Sequence, residues 1–503
     1  METSTSIAPL APDAAYAALV RPDIFVIVCC SESFQLALGH DEIKKLLRVC
    51  KRARPLLSSK VTRFDSWCRN AGLYHQAEQM RIGLTPSDKI ALSLHCKNPG
   101  SADRSWLVAQ SNHGNASASY LLARIIQADF DSGAVVYSER ALRQQQAFQL
   151  LEAAASASHA MAQFHLAESY RNGLGVDQDQ TKAAELYRSL AEQRMPRAQV
   201  AFGRCYESGE GVDQNHEAAI EWYSKAASQG SEDGRLHIVF LQGWFSLVGH
   251  GVEQSDVDAF NRWQEVSTKS TDLAIKSIAT YMVGWMHYLG RGTLQDRQRG
   301  DKILQANVSR EFPIGEHDGL DTRRHISSNS PTACRFYGLC RLGSIHDRLC
   351  RHLTAVCLIQ GFGTIKDQEK AADVFEQLAC EGCSDSQYWL AACCSYGWGV
   401  ALDKSNAFEW LKVSADQGNP YGQYMAGVYY LRGIGIEEDG AKAVECFRKS
   451  AEQGNRHGQY YLGDCYRTAS GVDGDIDTAV LWYRRSAEQG LYSAIDELNY
   501  LGR

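Results

Sequence analysis

Apolar and small residues return at helical spacing along most of this chain, and the pattern itself returns every 36 residues. Counting back from the glycines Gly382, Gly418, Gly454 and Gly490, position −11 is Ala371, Ala407, Ala443 and Ala479. Position −7 is Phe375, Leu411, Phe447 and Tyr483, and position −3 is Ala379, Ala415, Ala451 and Ala487. Residues at i, i+4 and i+8 share one face, so each stretch predicts an amphipathic helix about thirteen residues long, helix B. Ala183, Tyr187, Ala219 and Tyr223 extend the same columns upstream. A second helix, helix A, precedes it, clearest at Gln459, Leu462, Gly463 and Tyr466, which fall at i, i+3, i+4 and i+7. Small residues at Ala167, Gly203, Ala391, Gly427 and Gly463 mark where the two helices must approach closely.

Between helix A and helix B stands Gly-x-Gly or a near variant: Gly173/Gly175, Gly209/Gly211, Gly249/Gly251, Gly290/Gly292, Gly361/Gly363, Gly397/Gly399, Gly433/Gly435 and the degenerate Ala469/Gly471. Glycine accepts the positive φ that ends a helix, so the pair predicts a turn. Acidic residues such as Asp475 and Asp477 then open helix B, where negative charge suits the helix dipole. A fixed period of this length marks a solenoid, in which each unit buries its apolar face against its neighbours.

Leu462-Gly463 with Tyr466, Gly209-Glu-Gly-Val212, Trp222-Tyr223, Ala451-Glu-Gln-Gly454 and Ala487-Glu-Gln-Gly490 together resemble the Sel-one-like repeat (SLR) family, a relative of the tetratricopeptide repeat. The tetratricopeptide repeat fits less well, with its 34-residue period and shorter turn. The resemblance implies an all-α fold, a right-handed α/α superhelix. Eight units are expected at about 159–194, 195–230, 231–271, 272–308, 347–382, 383–418, 419–454 and 455–490. A degenerate ninth precedes them around Trp106–Gly114 and Ala118–Ala123. The domain plan is a non-repeat region 1–100, a first repeat block 101–308, an insertion and bridging helix 309–346, a second block 347–490 and a C-terminal cap 491–503. Residues 309–330 carry turn-rich sequence without helical period, and a helix over Pro331–Leu342 bridges the blocks.

The first hundred residues do not repeat. Met1 to Ala14, rich in Ser, Thr, Ala and Pro, reads as disordered. Ile24–Cys30 is an apolar run too short to cross a bilayer and without signal-peptide order. Lys44, Lys45, Arg48, Lys51, Arg52 and Arg54 form a basic cluster, read as a solvated helix face that also offers peripheral membrane contact. With a net charge of −7 the chain does not have the balance of a nucleic-acid binder.

Candidate chemistry mostly dissolves. Cys380-Glu-Gly-Cys383 has redox or zinc spacing but no second pair, and it coincides with the end of helix B. Asp473, Asp475 and Asp477 begin like a calcium loop, yet Thr478 and Arg484 stand where glycine and glutamate are needed. The glycine pairs follow no strand, so they are not a phosphate fingerprint. The histidines are scattered, no nucleophile elbow is present, and no metal or cofactor is expected. Secreted members of the family pair two cysteines in each repeat, and some have been assigned β-lactamase activity. The sixteen cysteines here keep no fixed offset, and Cys205, Cys393 and Cys465 share one helix A column instead. Small buried thiols in a reducing, cytoplasmic setting are the expectation.

Recognition remains. With Leu462, Gly463 and Tyr466 facing inward, His457, Tyr460, Asp464 and Arg467 point to the opposite side of helix A, which the resemblance assigns to a concave binding surface. One and two units earlier stand Tyr421 and Tyr424, then Asp385 and Tyr388, so that Tyr388, Tyr424 and Tyr460 form an aromatic stripe. Stacking between repeats explains such a stripe as well as a ligand does. The column Gln163, Gln199, Gln387, Gln423 and Gln459 reads as a buried amide ladder between repeats. Trp398 and Phe362, inside their Gly-x-Gly turns, are either loop contacts or covers for a helix pair. The expected function is a cytoplasmic adaptor or scaffold without catalytic activity. Its expected binding residues for a protein or peptide partner are Tyr388, Tyr421, Tyr424, His457, Tyr460, Asp464, Arg467 and Trp398. The alternative is an enzyme or signalling protein whose activity resides in residues 1–100. Family roles in membrane-associated degradation, chitin synthase regulation and receptor-tail binding are what the resemblance offers, the first disfavoured because such proteins carry a signal and an anchor.

Overall fold

A computed structural model describes residues 54–503 apart from 75–79, 94, 97–99, 101, 132–138, 310–311 and 315–327. The expected disordered start, the apolar run Ile24–Cys30 and the basic cluster up to Arg52 lie outside the described residues. Every regular element described is a helix, and the only strand-like contacts are the isolated bridges Tyr74–Met80 and Ser328–Phe362. The chain divides into two compact units, residues 1–222 and 223–503.

In the first unit, α1 (Arg54–Asn70), α2 (Pro86–Ser93) and α3 (Ser105–Asn112) precede α4 (Ala116–Asp131) and α5 (Arg140–Ser156). Regular pairs follow: α6 (Ala160–Asn172) with α7 (Gln180–Glu192), and α8 (Pro196–Ser208) with the start of α9 (His216–Ser228). The core runs continuously under these helices through Phe64, Trp67, Leu92, Leu107, Tyr120, Ile125 and Leu151, then Tyr187, Leu190 and Phe202. Asp88 anchors α2 to the repeats. It accepts from the amide and hydroxyl of Thr85 (2.9 and 2.6 Å), from Ser117 Oγ (2.8 Å) and from His159 Nε2 (2.7 Å). Burial pushes its carboxyl up, but these donors outweigh it and hold the group below the ordinary aspartate range.

The second unit continues with α10 (Glu232–Val248), α11 (Asp256–Lys269), α12 (Leu273–Leu289) and α13 (Arg297–Asn307). After α14 (Pro331–Gly343) come four pairs: α15 (Arg348–Gln360) and α16 (Gln368–Cys380), α17 (Ser384–Tyr396) and α18 (Lys404–Asp416), α19 (Pro420–Arg432) and α20 (Gly440–Glu452), α21 (Arg456–Thr468) and α22 (Ile476–Ala487). The last helix is α23 (Tyr492–Tyr500). Repeated helix-turn-helix units of this kind are a solenoid, as the periodicity predicts.

The same local devices recur in the four pairs from α15 to α22. Helix A ends on a left-handed residue, Gly397 at φ +72° or Gly433 at +59°, and at the degenerate position Ala469 adopts the same conformation at +54°. The second glycine does something different. Gly399 lies so close to the backbone of Gln368 and Glu369, the first residues of the preceding helix B, that a Cβ there has no room. Helix B opens on an aspartate cap: Asp367, Asp403, Asp439 and Asp475 each accept amide protons of the first turn. The Asp475 cap answers the apparent calcium loop.

The glutamine column joins successive repeats as expected, but each amide bonds a backbone carbonyl of the preceding helix B and not the next amide of the column. Gln387 Nε2 donates to Ala379 O (3.0 Å) while its Oε1 accepts from Gln417 (2.8 Å). Gln423 with Gln453 and Gln459 with Gln489 repeat the link at 2.7 and 2.8 Å. A serine column runs beside it, Ser414, Ser450 and Ser486 donating to Ser384 O, Pro420 O and Arg456 O at 2.7–2.8 Å. The bonds from Gln387, Gln423 and Gln459 to the preceding helix B tie adjacent repeats together, while the glutamine–glutamine and serine bonds tie helix A to helix B within one repeat.

Candidate functional site

The groove face of helix A is set by the residues nine, five and two positions before its closing turn. In α21 these are Tyr460, Asp464 and Arg467; in α19, Tyr424, Val428 and Leu431; in α17, Tyr388, Ala392 and Ser395. The same positions are His352, Val356 and Ile359 in α15, Tyr281, Trp285 and Tyr288 in α12, and Phe240, Trp244 and Leu247 in α10. From α10 through α17 every one of them is buried. Within this unit open surface returns at α19 and α21, where all these positions but Val428 are half-buried.

The protein's own chain covers the buried stretch. Trp285 packs against His352 at 5.7 Å, and Tyr281 meets Phe312 and Phe336 at 5.3 and 5.4 Å. Tyr288 Oη lies 3.4 Å from Asp385 Oδ1. Arg297, at the start of α13, donates to Gly418 O (2.7 Å) and to Gln453 Oε1 (2.5 Å). Arg335 of α14 sits over the ring of Phe240 at 5.0 Å. Phe312 also packs on Phe362, so the insertion sends Phe312 and Ile314 into the core, and Phe362 is a cover rather than a loop contact.

This corrects two of the expected binding residues. Tyr388 and Tyr421 are each 2 % exposed, and their rings pack on one another at 5.9 Å beneath the α12–α13 side of the same unit. Trp398 is half-buried in its turn, stacked on Tyr396 at 4.9 Å, and so belongs to the turn edge and not to the groove. The other five stand together. Tyr424 is half-buried and stacks on His457 (5.2 Å), with Tyr461 behind it at 5.7 Å. Tyr460 lies between Tyr461 (5.2 Å) and Tyr483 (5.8 Å). The inter-repeat stacking foreseen for the stripe is thus real, yet it leaves the faces of Tyr424 and Tyr460 partly open.

Arg467 is clasped: its Nη2 bonds Asp464 Oδ1 at 2.6 Å, its Nε donates to Tyr483 Oη at 3.1 Å, and Glu497 of α23 is 3.6 Å away. The bond from Tyr483, then the Asp464 carboxylate, keeps the guanidinium firmly cationic. Burial, with the Asp464 and Glu497 charges, raises the Tyr460 hydroxyl above its ordinary range, so it stays a neutral donor. Asp464 and Arg467 remain 26 % and 29 % exposed. Tyr461 and Glu497 were not foreseen; Tyr461 falls between the inward and groove faces of α21, and Glu497 comes from a helix outside the repeat register. Among the described residues no group of three or more His, Cys, Asp or Glu is placed to hold a metal, and no helix is long and apolar enough to cross a membrane.

The Sel1 repeat model matches residues 143–159, 160–194, 196–231, 277–300, 348–383, 384–419, 420–455 and 456–491, together about half of the chain. The chain belongs to the Sel1 repeat family. These boundaries follow the 36-residue register to within about one residue in the second block, and the helical pair α10–α11 falls outside the matched segments. No curated protein gives a significant sequence match. Among solved structures, the chain is similar to c5321, a protective antigen present in uropathogenic Escherichia coli strains displaying an SLR fold. That match has 26 % identity over 83 % of this chain and 80 % of the other, with a TM-score of 0.34. A Sel1 repeat protein from Oxalobacter formigenes shares 23 % identity over 82 % and 93 %, with a TM-score of 0.28. Sel1 repeats form a non-catalytic scaffold that mediates protein–protein interaction, typically through the concave face, and no enzymatic motif accompanies them here.

Proposed function

We propose that this Sel1-repeat protein is an adaptor that holds a protein partner, through an extended peptide segment, on the open end of the groove at Tyr424, His457, Tyr460 and Asp464. One observation carries the reading: α10 through α17 spend their groove residues on self-packing, while in α19 and α21 the same columns stay accessible at every position but Val428. Tyrosines backed by stacked neighbours offer apolar area and a polar tip at little entropic cost. The clasped Arg467 keeps the Asp464 side of the groove from being strongly acidic, which favours a mixed apolar and polar segment over a highly charged one. Buried free thiols such as Cys205, Cys393 and Cys465 support a cytoplasmic setting, where such thiols persist.

The test is affinity capture from the native cell with the full chain and with the Y424A/Y460A variant. Each tyrosine anchor is worth about 1–3 kcal/mol, so the double variant should lose its principal partner by at least tenfold while keeping its helical circular dichroism. Unchanged capture by a folded variant would remove the site.

A further inference from the structure

In the first unit the groove columns carry a different chemistry. Counting from the same closing turns, they are Phe164, Glu168 and Arg171 in α6 and Val200, Arg204 and Glu207 in α8; Tyr120, Arg124 and Gln127 repeat the spacing in α4. Arg197 adds a further guanidinium at the start of α8 and is exposed. The charges on this face do not all cancel. Arg171 is taken by Glu210 through its Nε and Nη2 (Nη2–Oε1 3.0 Å). Glu168 is hydrogen-bonded to His165 Nδ1 at 2.6 Å and keeps its negative charge: burial pushes its carboxyl up, but that bond and the nearby Arg204 and Arg124 hold it below the ordinary range. Glu207 is buried. Arg124 bonds only the amide oxygen of Gln127 (2.5 Å), and neither Arg124 nor Arg197 forms an ion pair with a described carboxylate.

These two arginines belong to one locality. Tyr120 Oη donates to Gly83 O at 3.0 Å, and a side chain at Gly83 would lie 3.9 Å from Arg197 Nη1. Tyr120 stacks on His159 and His165 at 4.8 and 5.8 Å. Burial lowers the His165 pKa, and the fields of Arg124 and Arg197 push the same way against the Glu168 hydrogen bond. The neutral imidazole therefore adds no charge. Phe164 and Val200 are buried here, while Glu168 stays 37 % exposed, so the face is open at Glu168.

We infer that the first unit's groove is a second docking surface, separate from the tyrosine site, and that its occupant is an acidic peptide segment whose carboxylates pair with Arg124 and Arg197. Arginine's planar fork suits carboxylates, and a guanidinium without a carboxylate partner engages one at less cost than a guanidinium that must first break an ion pair. The occupant is a protein segment because the face of Arg124 and Arg197 also carries the Glu168 carboxylate, 37 % exposed, which repels a uniform polyanion but leaves room for carboxylates spaced by neutral residues.

The test uses the full-length protein and a fluorescent peptide alternating Glu and Ala, roughly twelve residues long so that it spans about 40 Å when extended, with Gln/Ala and Lys/Ala peptides as comparators. Anisotropy should show the Glu peptide binding most tightly, weakening as salt rises from about 0.05 M to about 0.3 M. R124A/R197A should weaken it by about tenfold, and R124E/R197E should transfer the preference to the Lys peptide, which a merely unfolded variant cannot do. Y424A/Y460A should leave it unchanged, so failure here is distinct from failure of the tyrosine site. The inference is overturned if the Glu peptide binds no better than the Gln peptide, or if the arginine variants bind it as well as the parent. It also falls if Y424A/Y460A abolishes binding, or if a single-stranded oligonucleotide binds more tightly through the same arginines.

Discussion

The two glycines of one turn should respond very differently to a single methyl group. Gly397 has φ +72° with its nearest neighbour, Leu402 Cβ, at 3.6 Å from an added Cβ, so Gly397→Ala meets only the left-handed penalty. That penalty is about 1–2 kcal/mol, partly offset by the ~0.4–1 kcal/mol that alanine gains from a stiffer unfolded chain. Ala469, at φ +54° in the equivalent place, shows that the fold tolerates the residue. Gly399→Ala meets the same backbone penalty at φ +71° and also drives its Cβ into the backbone of Gln368 and Glu369, so the start of α16 must move. Overpacking of this kind adds about 1–3 kcal/mol, and a moved backbone cannot relax by a rotamer change. The net expectation is about 1 kcal/mol for Gly397→Ala against about 3 kcal/mol or more for Gly399→Ala. Gly251, at φ +67° with open space around it, is the control and should behave like Gly397. Urea unfolding followed by circular dichroism gives the order, and hydrogen exchange at α16 and α17 shows where the loss falls. Equal costs for Gly397→Ala and Gly399→Ala would refute the account of the turn.

Three further outcomes follow from the polar contacts. Asp88 is held below its unfolded pKa, so its contribution is fully present above the ordinary aspartate value of about 3.9 and fades as pH falls through the lower folded value. D88N should therefore destabilise the first unit at pH 7 and much less at pH 2, as read from urea midpoints. Gln387→Leu should cost about 1–3 kcal/mol, because Gln417 loses its acceptor and Ala379 O loses one donor, keeping the Gly382 amide, with raised exchange confined to the α16–α18 turns. R297A removes the bonds to Gly418 and Gln453, and faster exchange should appear at the starts of α19 and α21 while α6 and α8 stay unchanged.

The architecture was legible because repetition is a strong signal. Ala479 and Tyr483, read as the inward face of helix B, are fully buried, and the small column at Gly427 exists because Phe447 packs against it. The groove was legible only in part. Periodicity identifies the face opposite the helix pair, but it does not say what lies across from that face. Tyr388 and Tyr424 occupy the same column with the same residue type, but α12–α13 reach the chain beside the first, through Tyr288 to Asp385 and Arg297 to Gly418, and one is buried where the other is half-buried. A partial signal was present in the sequence: α12 carries Tyr281, Trp285 and Tyr288 in groove columns where a solvated face has polar residues. Aromatic residues in all three columns of one helix mean that something covers them.

The account's central claim is that the groove of the second unit is sealed in its middle and open at α19 and α21. The most direct measurement places a photo-crosslinking phenylalanine derivative at Tyr424, Tyr460, Tyr388 or Trp285 in the full-length protein and irradiates it in its native cell. Crosslinks to a common partner from positions 424 and 460, with none from 388 and 285, are the predicted result. Partner crosslinks from 388 or 285 would show that the middle of the groove opens to ligand, and would contradict the account.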